Sequence, residues 1–476
     1  MLRRAIAVVA LVALAWFYTL YQYNLLFTAK RVSVTAQLDQ THYEWTVQKH
    51  RQAPDGIEKD LILVNGQFPG PTIQAKIGDT ISVTVHNKLN ESTSIHWHGI
   101  HQNGTNFMDG AVGITQCGIP PGESFTYRFT VDKAGTYWWH SHYELQRTDG
   151  MFGALIVDDD SDPYLRHYDE ELVIMIHDHY FDSSSNVLEW YLSRESSGSE
   201  PVPDNGLING RGVFDCSKLL NDKFNCSSEW AQNAHFSMVS GRRYRIRLIN
   251  SSAMANFVVS IAGGEFDVIE ADSTLLKRSH TKELPISAGQ RYSLIYTARG
   301  KGQGQMIVEM DTDCFNYVNP YLDPIAAATI TIQRGTIGDL AKDLMRRVSS
   351  KLSRFTKRDE CLDVEEGLLE PLYDEPVPEA DIQVIVYAKI MKLQRNNRAP
   401  YSFFNRTSWI PAIGSPNLLT QLELTNASIT TNTLTGDAPT EKWGGHQMVV
   451  PVPLGSVVEL IVNNGDESPH PFHLVS

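Results

Sequence analysis

One pattern occurs three times along the chain and constrains its fold more than any other feature. Each copy is a glycine, a run of alternating apolar and polar residues, and an asparagine nine positions after the glycine: GDTISVTVHN from Gly78, GRRYRIRLIN from Gly241 and GSVVELIVNN from Gly455. Alternation with a period of two is typical of a β-strand. Copies of one strand in one frame predict three related domains built on the same plan.

The rest of the sequence predicts an all-β chain of tandem β-sandwiches. Short segments rich in Val, Ile and Thr are separated by Gly, Pro and Asn, and helical periodicity is scarce. A length of 476 residues agrees with several domains, since one hydrophobic core seldom grows so large. We expect a targeting segment over residues 1–29, sandwiches over 37–160, 168–334 and 381–476, and a charged linker over 335–380.

The N-terminus predicts export from the cytosol. Arg3 and Arg4 precede an apolar run from Ala5 to about Phe27, which is either a cleaved signal or a membrane signal-anchor. Both alternatives predict a protein that is secreted, or anchored with its domains outside the cytosol. Six N-x-S/T sequons favour a glycoprotein: Asn90, Asn103, Asn225, Asn250, Asn405 and Asn426.

Cysteines and charge narrow the function classes. Five cysteines in an oxidising compartment leave one thiol without a partner, and Cys216 with Cys226 is the preferred local disulfide. Acidic residues number 55 against 41 basic ones, and the net charge of −14 excludes nucleic acid as a partner because phosphate backbones would be repelled.

Paired histidines predict a metal site. The pairs His96-Trp97-His98 and His140-Ser141-His142 each place two imidazoles on one face of a predicted strand, about 7 Å apart. One such pair alone is more often exposed or hydrogen-bonded, but two pairs together with His470 and His473 favour a shared site. Imidazoles without cysteine or carboxylate in the motif favour copper or zinc.

The repeat places these histidines in register. Nine residues beyond the asparagine of each copy stand His96, Val259 and His473, and two residues further on stand His98, Ile261 and Val475. We therefore expect the first and third copies to share a metal site and the middle copy to lack one. The register also predicts a metal-facing side chain at position 475, where the sequence has valine.

The segment from His96 to His142, which begins HWHG and ends HSH, closely resembles the first-domain copper loops of ascomycete multicopper oxidases, both laccase-like enzymes and ferroxidases. The resemblance continues through GALIVDD, EPVPDNGLING and the terminal HPFHL. It implies cupredoxin-like Greek-key sandwiches with copper as the cofactor. It implies His96 and His473 as type 2 copper ligands, His98, His140 and His142 as type 3 ligands, His470 as a type 1 ligand, and Asp109 as the carboxylate that assists proton delivery.

The sequence departs from the family at its end. The family reads HPxHLH where this chain reads HPFHLVS, and the later HCHIxxH segment does not appear. By the resemblance, three type 3 ligands and most of the type 1 site are missing and the third sandwich is incomplete. We therefore expect no oxidase turnover from these 476 residues alone; a retained intron in the gene prediction is one hypothesis for the ending.

The resemblance implies an enzyme that couples one-electron oxidation of phenols, as in laccases, to four-electron reduction of O2 to water. An Fe(II) ferroxidase is the alternative, because Glu200 in the segment EPVP resembles a glutamate that contacts ferrous iron, with Asp311 or Asp313 as a second acidic residue and a permease as partner. A non-catalytic copper-binding glycoprotein is a third possibility. His177-Asp178-His179 matches no copper motif, and we expect it to be structural.

Overall fold

The structure is a computed structural model that describes residues 40–261, 264–336, 369–394, 398–411, 452–466 and 470–475, with isolated positions between 338 and 450. The expected targeting segment and most of the expected linker lie outside these residues. Within the described part of the chain, no helix has both the length and the apolar composition that crossing a bilayer requires.

The first group of strands forms a sandwich of two four-stranded sheets. One sheet has the order β2-β1-β4-β6 and the other the order β3-β8-β7-β5. The strands are β1 (Gln40–Gln52), β2 (Lys59–Val64), β3 (Ile73–Lys76), β4 (Thr80–Asn87), β5 (His96–His98), β6 (Ser124–Thr130), β7 (Gly135–His140) and β8 (Phe152–Asp158).

The second group forms a larger sandwich. A six-stranded sheet, β10-β9-β12-β17-β14-β15, faces a five-stranded sheet, β11-β19-β18-β13-β16. The strands are β9 (Glu170–His179), β10 (Asn205–Ile208), β11 (Ala234–Val239), β12 (Arg243–Asn250), β13 (Phe257–Ile261), β14 (Phe266–Ala271), β15 (Thr274–Thr281), β16 (Glu283–Ile286), β17 (Arg291–Thr297), β18 (Gly302–Met310) and β19 (Ile325–Gln333).

The third group contributes one described sheet with the order β21-β20-β22. Its strands are β20 (Ile382–Lys392), β21 (Pro400–Phe404) and β22 (Val458–Asn464). An α-helix, α1 (Ser184–Leu192), follows β9, and short 3-10 turns span Asn106–Met108, Cys216–Lys218 and Thr312–Cys314. The prediction of an all-β chain is confirmed.

The three copies of the repeat form equivalent strands, β4, β12 and β22, and each ends at the asparagine of its copy. The preceding glycines share one left-handed turn, with φ of 86° at Gly78, 88° at Gly241 and 85° at Gly455. Glycine takes this conformation without the steric cost of a side chain. Each of the three strands pairs in parallel with an earlier strand, β1, β9 or β20, so the repeat marks the same place in each domain.

The asparagines make the chain turn at the end of each strand. The side-chain oxygens of Asn87 and Asn250 accept the backbone N–H two residues on at 2.9 and 3.0 Å, the local bond that favours asparagine in turns. The amide nitrogen of Asn250 donates to two backbone carbonyls, both at 3.0 Å, and the residue is fully buried. Among the predicted sequons, that of Asn250 does not suit a glycan in the folded chain, because its side chain bonds inside the second sandwich.

Each sandwich has its own core. Trp45, Trp97 and Trp139 lie in the core of the first sandwich, where the rings of Trp45 and Trp139 are 4.4 Å apart. Val259 and Ile261 lie in the core of the second sandwich. Full burial of an aliphatic side chain of this size stabilises the fold by roughly 1.5–3 kcal/mol, so the middle copy of the repeat uses these positions for packing.

A buried ionic network joins the two sandwiches. Glu270 on β14 accepts from the backbone N–H of Thr136 on β7 at 2.7 Å and from the guanidinium of Arg245 on β12 at 2.7 Å. Arg247 reaches the other way, to Asp158 at the end of β8, at 3.1 Å. Burial alone raises the pKa of Glu270, but the two guanidinium groups more than reverse this and lower it to about 2. The carboxylate therefore stays charged at the seam.

The cysteines follow the prediction where the structure describes them. Cys216 and Cys226 form a disulfide with an S–S distance of 1.99 Å. Cys314 is disulfide-bonded as well, and among the described residues Cys117 is an exposed free thiol. The described end of the expected linker lies along β15, where the N–H of Leu372 donates to the carbonyl of Leu275 at 2.8 Å.

Candidate metal centre

Two antiparallel strands of the first sandwich position the paired histidines. In the register of β5 and β7, His96 stands opposite His140 and His98 stands opposite Trp138. Because side chains alternate along a strand, Trp97 and Trp139 point into the core and the histidines point to the opposite face. Trp97, between His96 and His98, and Trp139, next to His140, therefore hold the two strands in place while the imidazoles meet on one side.

The imidazoles of His96, His98 and His140 form a cluster. One ring nitrogen from each lies within 4.8 Å of the others. The ring centroid of His96 is 5.7 Å from that of His98 and 5.2 Å from that of His140. All three residues are at most 6% exposed, so the cluster is enclosed.

His142 and His473 complete the cluster. The ring of His142 lies 5.4 Å from that of His96. His473 comes from the other end of the sequence, stacks on His98 at 3.7 Å and places its Nε2 3.4 Å from the Nε2 of His96. Two nitrogens bound to one ion at about 2.0–2.1 Å in a tetrahedral arrangement are about 3.4 Å apart. The pair thus has the spacing of two ligands of one metal.

Burial favours the neutral form of four of these imidazoles, those of His98, His140, His142 and His473. It lowers the pKa of His98 and of His140 well below the usual value, with the positive charges of Arg291 and Arg147 adding to the effect. Burial likewise lowers the pKa of His142 and of His473 to about 4, and neighbouring His96 contributes in both cases. Neutral imidazole is the form that binds a metal.

Backbone carbonyls orient two of the rings. The Nδ1 of His96 contacts the carbonyl of Asp109 at 2.9 Å, and the Nδ1 of His140 contacts the carbonyl of Ser141 at 2.9 Å. An N–H held in this way leaves Nε2 as the free donor toward the metal. Gly110 allows the approach, because a Cβ there would lie 1.8 Å from the carbonyl oxygen of Ile95.

Asp109 places a buried carboxylate beside the cluster. It is fully buried, and one of its oxygens lies 3.2 Å from the Nδ1 of His96, out of line for a hydrogen bond. Among the described residues, neither carboxylate oxygen has a hydrogen-bond partner. A buried oxygen without a partner is costly, so this carboxylate is available to a water molecule or a proton.

The second sandwich supports the cluster without giving it a histidine. The backbone of Gly289 lies against the ring of His98, and the guanidinium of Arg291 lies against Gly99. Arg291 is held there by the carbonyl of Thr136 at 3.0 Å and the carboxylate of Asp272 at 2.8 Å. Sequence reasoning missed both residues, since neither belongs to a ligand motif and the contacts join distant segments.

His470 does not join the cluster. It contacts Asp466 through Nε2 at 3.0 Å and, together with Glu200, lines a cavity of about 370 Å³ whose walls include Tyr191, Leu188 and Phe315. Asp311 and Asp313 do not line this cavity. The oxygen of Asp311 instead accepts the backbone N–H of Asp313 at 3.3 Å and caps a 3-10 turn.

The third histidine pair also lies apart, in the second sandwich. His177 and His179 stand at the end of β9 and are buried. Between them, the Asp178 carboxylate accepts the backbone N–H groups of residues 253, 254 and 255. The ring of His177 packs on Phe152 of β8 with centroids 4.4 Å apart, and neither histidine belongs to the group of His96, His98 and His140 whose nitrogens have metal-ligand spacing.

The donor set of the cluster fits copper. Five imidazoles converge, the group with metal-ligand spacing found among the described residues contains histidines alone, and imidazole suits copper and zinc. The buried Nδ1 of His98 has no hydrogen-bond partner among the described residues. The Nε2 atoms of His96 and His473 are 3.4 Å apart. Both observations indicate polar atoms that a bound ion would satisfy.

Comparison with known proteins also indicates a copper protein. Profiles described as multicopper oxidase match residues 46–162, 170–330 and 415–474. The iron transport multicopper oxidase fetC of Epichloe festucae is 32% identical over 441 residues, which are 91% of this chain and 63% of that protein. Laccase-1 of Cryptococcus neoformans var. grubii is 41% identical over 266 residues, which are 54% of this chain and 42% of that laccase.

Solved structures share the fold. Fet3p, a multicopper oxidase that functions in iron import, matches with a TM-score of 0.72 and 26% identity over 90% of this chain and 73% of its own. The laccase from Botrytis aclada matches with a TM-score of 0.70 and 29% identity over 84% and 69%. These matches confirm the predicted cupredoxin-like sandwiches.

Proposed function

The chain belongs to the multicopper oxidase family, and from this premise we propose that the whole protein is a laccase-like oxidase that couples one-electron oxidation of phenols to reduction of O2 to water. The observation that carries the proposal is the convergence of His473 on the histidines of the first sandwich. The activity is proposed for the whole protein because this chain spans 63% of the fetC relative and 42% of the laccase.

The ligand roles follow the resemblance. We assign His96 and His473 to the type 2 copper, His98, His140 and His142 to the type 3 pair, and His470 to the type 1 site. When bound, copper takes electrons singly from the reductant and passes four of them to O2. The resemblance assigns the remaining ligands to sequence that follows Leu474 in its relatives.

The residues of this chain supply neutral donors and a proton. The buried imidazoles of His96 and His140 offer Nε2 atoms whose orientation is fixed by the backbone contacts at Nδ1. Asp109, buried and unpartnered beside His96, is suited to hold a proton that oxygen reduction consumes. Four protons and four electrons convert one O2 to two waters, so the reaction requires a supply of protons, and a buried carboxylate beside the cluster can relay them.

Copper binding tests the ligand assignment directly. We expect the purified chain to lose copper when His96 and His473 are both replaced by alanine, with a control in which exposed His235 is replaced. Equilibrium dialysis with metal analysis measures the equivalents bound. Copper retained in full by the double variant would refute a shared site.

A ferroxidase is the second candidate, and one observation favours it. Glu200 and His470 line the same cavity, which brings a carboxylate suited to Fe(II) next to the proposed type 1 ligand. In the whole protein, Glu200→Ala should then lower Fe(II) oxidation selectively and spare phenol oxidation, with Glu195→Ala as the exposed control. An equal effect on both substrates would favour the laccase-like function. A permease partner belongs to this second candidate.

We propose that the protein acts outside the cytosol, secreted or anchored by its N-terminal segment. The Cys216–Cys226 disulfide supports an oxidising compartment. A non-catalytic copper-binding glycoprotein remains the alternative of another class, and oxygen uptake by the whole copper-loaded protein with a phenol or Fe(II) separates the two.

A further inference from the structure

A second group of metal-binding side chains lies on the outer face of the first sandwich. His42 and Glu44 stand two residues apart on β1, and His86 stands on the neighbouring strand β4. The Nε2 of His42 lies 2.7 Å from one oxygen of Glu44, and the Nε2 of His86 lies 2.7 Å from the other. Two imidazoles thus point their outer nitrogens at one carboxylate.

The far nitrogen of each ring is held by a serine. The Nδ1 of His42 contacts the hydroxyl of Ser82 at 3.1 Å, and the Nδ1 of His86 contacts the hydroxyl of Ser124 at 2.7 Å. A hydroxyl can donate or accept, so it supports either tautomer of the ring. With Nδ1 as the N–H donor to serine, the Nε2 lone pair is free for a metal, which is the usual arrangement of metal-bound histidine.

The group is open to solvent and carries negative charge. The side chains of His42, Glu44 and His86 are 45%, 58% and 38% exposed. The hydrogen bonds from His42 and then from His86 lower the pKa of Glu44, so the carboxylate is ionised at neutral pH. An ion from solution can therefore reach all three side chains, with water in the remaining coordination positions.

Two other described histidines that contact carboxylates lack this arrangement. His280 contacts two carboxylates, Asp267 at 2.7 Å and Glu265 at 3.0 Å, and offers one imidazole. His101 pairs with Asp132 alone at 3.2 Å. The group on β1 and β4 differs because two imidazoles share a carboxylate and each is oriented by its own serine.

We propose that His42, Glu44 and His86 form a surface site for a divalent transition metal of the Cu2+ and Zn2+ class. Two imidazole nitrogens with one carboxylate are a donor set that both ions accept. Each Nε2 faces a different oxygen of one carboxylate, and the open face leaves the two rings room to turn toward one shared ion.

The surface site is separate from the buried cluster. It lies on the sheet that contains β1 and β4, whereas His96 and His140 lie on the sheet that contains β5 and β7. The tryptophan core stands between the two sheets, with Trp45 of β1 packed on Trp97 and Trp139. The proposal therefore does not depend on the oxidase function, and its failure would leave that function untouched.

Zinc binding to the metal-free chain, compared between the parent and its variants, tests the site, because Cu2+ would compete for it. We expect equilibrium dialysis with Zn2+ to find one equivalent more in the parent chain than in the variant H42N/H86N, and E44Q to weaken that equivalent at least about tenfold. Replacing Ser82 and Ser124 by alanine should weaken it by roughly 10- to 100-fold. The matched control is H101N/H235N, two exposed histidines that do not share a carboxylate.

A second readout confines the effect to the surface. With Cu2+ as the probe, the added equivalent should give an electron paramagnetic resonance signal with nitrogen coupling that H42N/H86N removes. The buried-cluster variant H96A/H473A should retain that surface signal. Equal Zn2+ equivalents in the parent chain and H42N/H86N, or no zinc bound by the parent, would overturn the proposal.

Discussion

The first and second sandwiches share the repeat strand, but the side chains at equivalent positions beyond it differ in function. Both carry the repeat strand, and nine residues beyond its asparagine the first has His96 on β5 whereas the second has Val259 on β13. β5 pairs with β7 alone among the described strands, whereas β13 is bonded on both sides by β16 and β18. The register fixes where a side chain stands, and its chemistry decides whether that place binds a metal or closes a core.

The largest effect on stability should come from placing the histidine pair of the first sandwich, His96 and His98, at the equivalent positions of the second. Val259→His with Ile261→His puts two imidazoles without partners into a packed core, and we expect a loss of more than about 4 kcal/mol in the free energy of unfolding. Urea denaturation measures it. Val259→Ala is the size control, at roughly 2–3 kcal/mol. An unchanged midpoint would mean that these positions are not packed as the structure has them.

The reverse exchange should remove metal and spare the fold. In His96→Val with His98→Ile, we expect copper affinity to fall by more than the roughly 100-fold that loss of an outer contact can cost. The metal-free chain should change by less than about 1 kcal/mol, because His98 carries an unpartnered buried nitrogen that the exchange removes. Equilibrium dialysis measures the copper affinity, and denaturation of the metal-free protein measures the change in stability.

The seam between the sandwiches should make stability depend on pH. The folded pKa of Glu270 is lowered from 4.5 to about 2, so its contribution is fully present above pH 4.5 and is lost as the pH falls through about 2. The shift corresponds to about 3 kcal/mol. Glu270→Gln should abolish this loss and also destabilise the neutral-pH protein by roughly 3–5 kcal/mol, since Arg245 loses its buried partner.

Denaturation midpoints between pH 7 and pH 2 measure the effect of Glu270. Exposed Glu309 on β18 provides the control, and Glu309→Gln should follow the parent chain at every pH. A Glu270→Gln variant that loses stability along the same acid limb as the parent would assign the transition to other carboxylates.

The smallest effects should come from the asparagines that end the repeat strands. Asn87→Ala and Asn250→Ala each remove three hydrogen bonds inside a sandwich, and we expect roughly 2–3 kcal/mol from each. Asn464→Ala should cost about 0.5 kcal/mol, because Asn464 is exposed. Thermal melts of the three variants compare them, and a large cost at Asn464 would contradict their ranking.

Much of the fold was accessible from sequence because the repeat is local. A glycine turn, an alternating strand and an asparagine are neighbours in the chain, so β4, β12 and β22 could be predicted with their ends. The meeting of His96 with His473 was predictable for the same reason, since the register placed both at one position of the repeat. The resemblance to a known family supplied the identity of the metal.

Contacts between distant segments that the repeat does not place in register could not be predicted. Nothing near Gly289 or Arg291 indicates that they lie against His98 and Gly99, because those contacts depend on how two sandwiches dock. The burial of Asn250 was missed for a similar reason. An N-x-S sequence records a possible modification and does not show that the side chain is already bonded to the carbonyls of residues 255 and 286.

The docking of the two sandwiches limits how the chain can be divided. A fragment that ends after β8 would keep four of the five clustered histidines but would lose Gly289, Arg291 and the carboxylate of Glu270 that binds the N–H of Thr136. Its β5–β7 edge would then be free to shift. The first sandwich expressed alone should therefore fail to bind copper in this geometry. The second sandwich provides none of the clustered histidines, yet its contacts keep the strands that carry them in position.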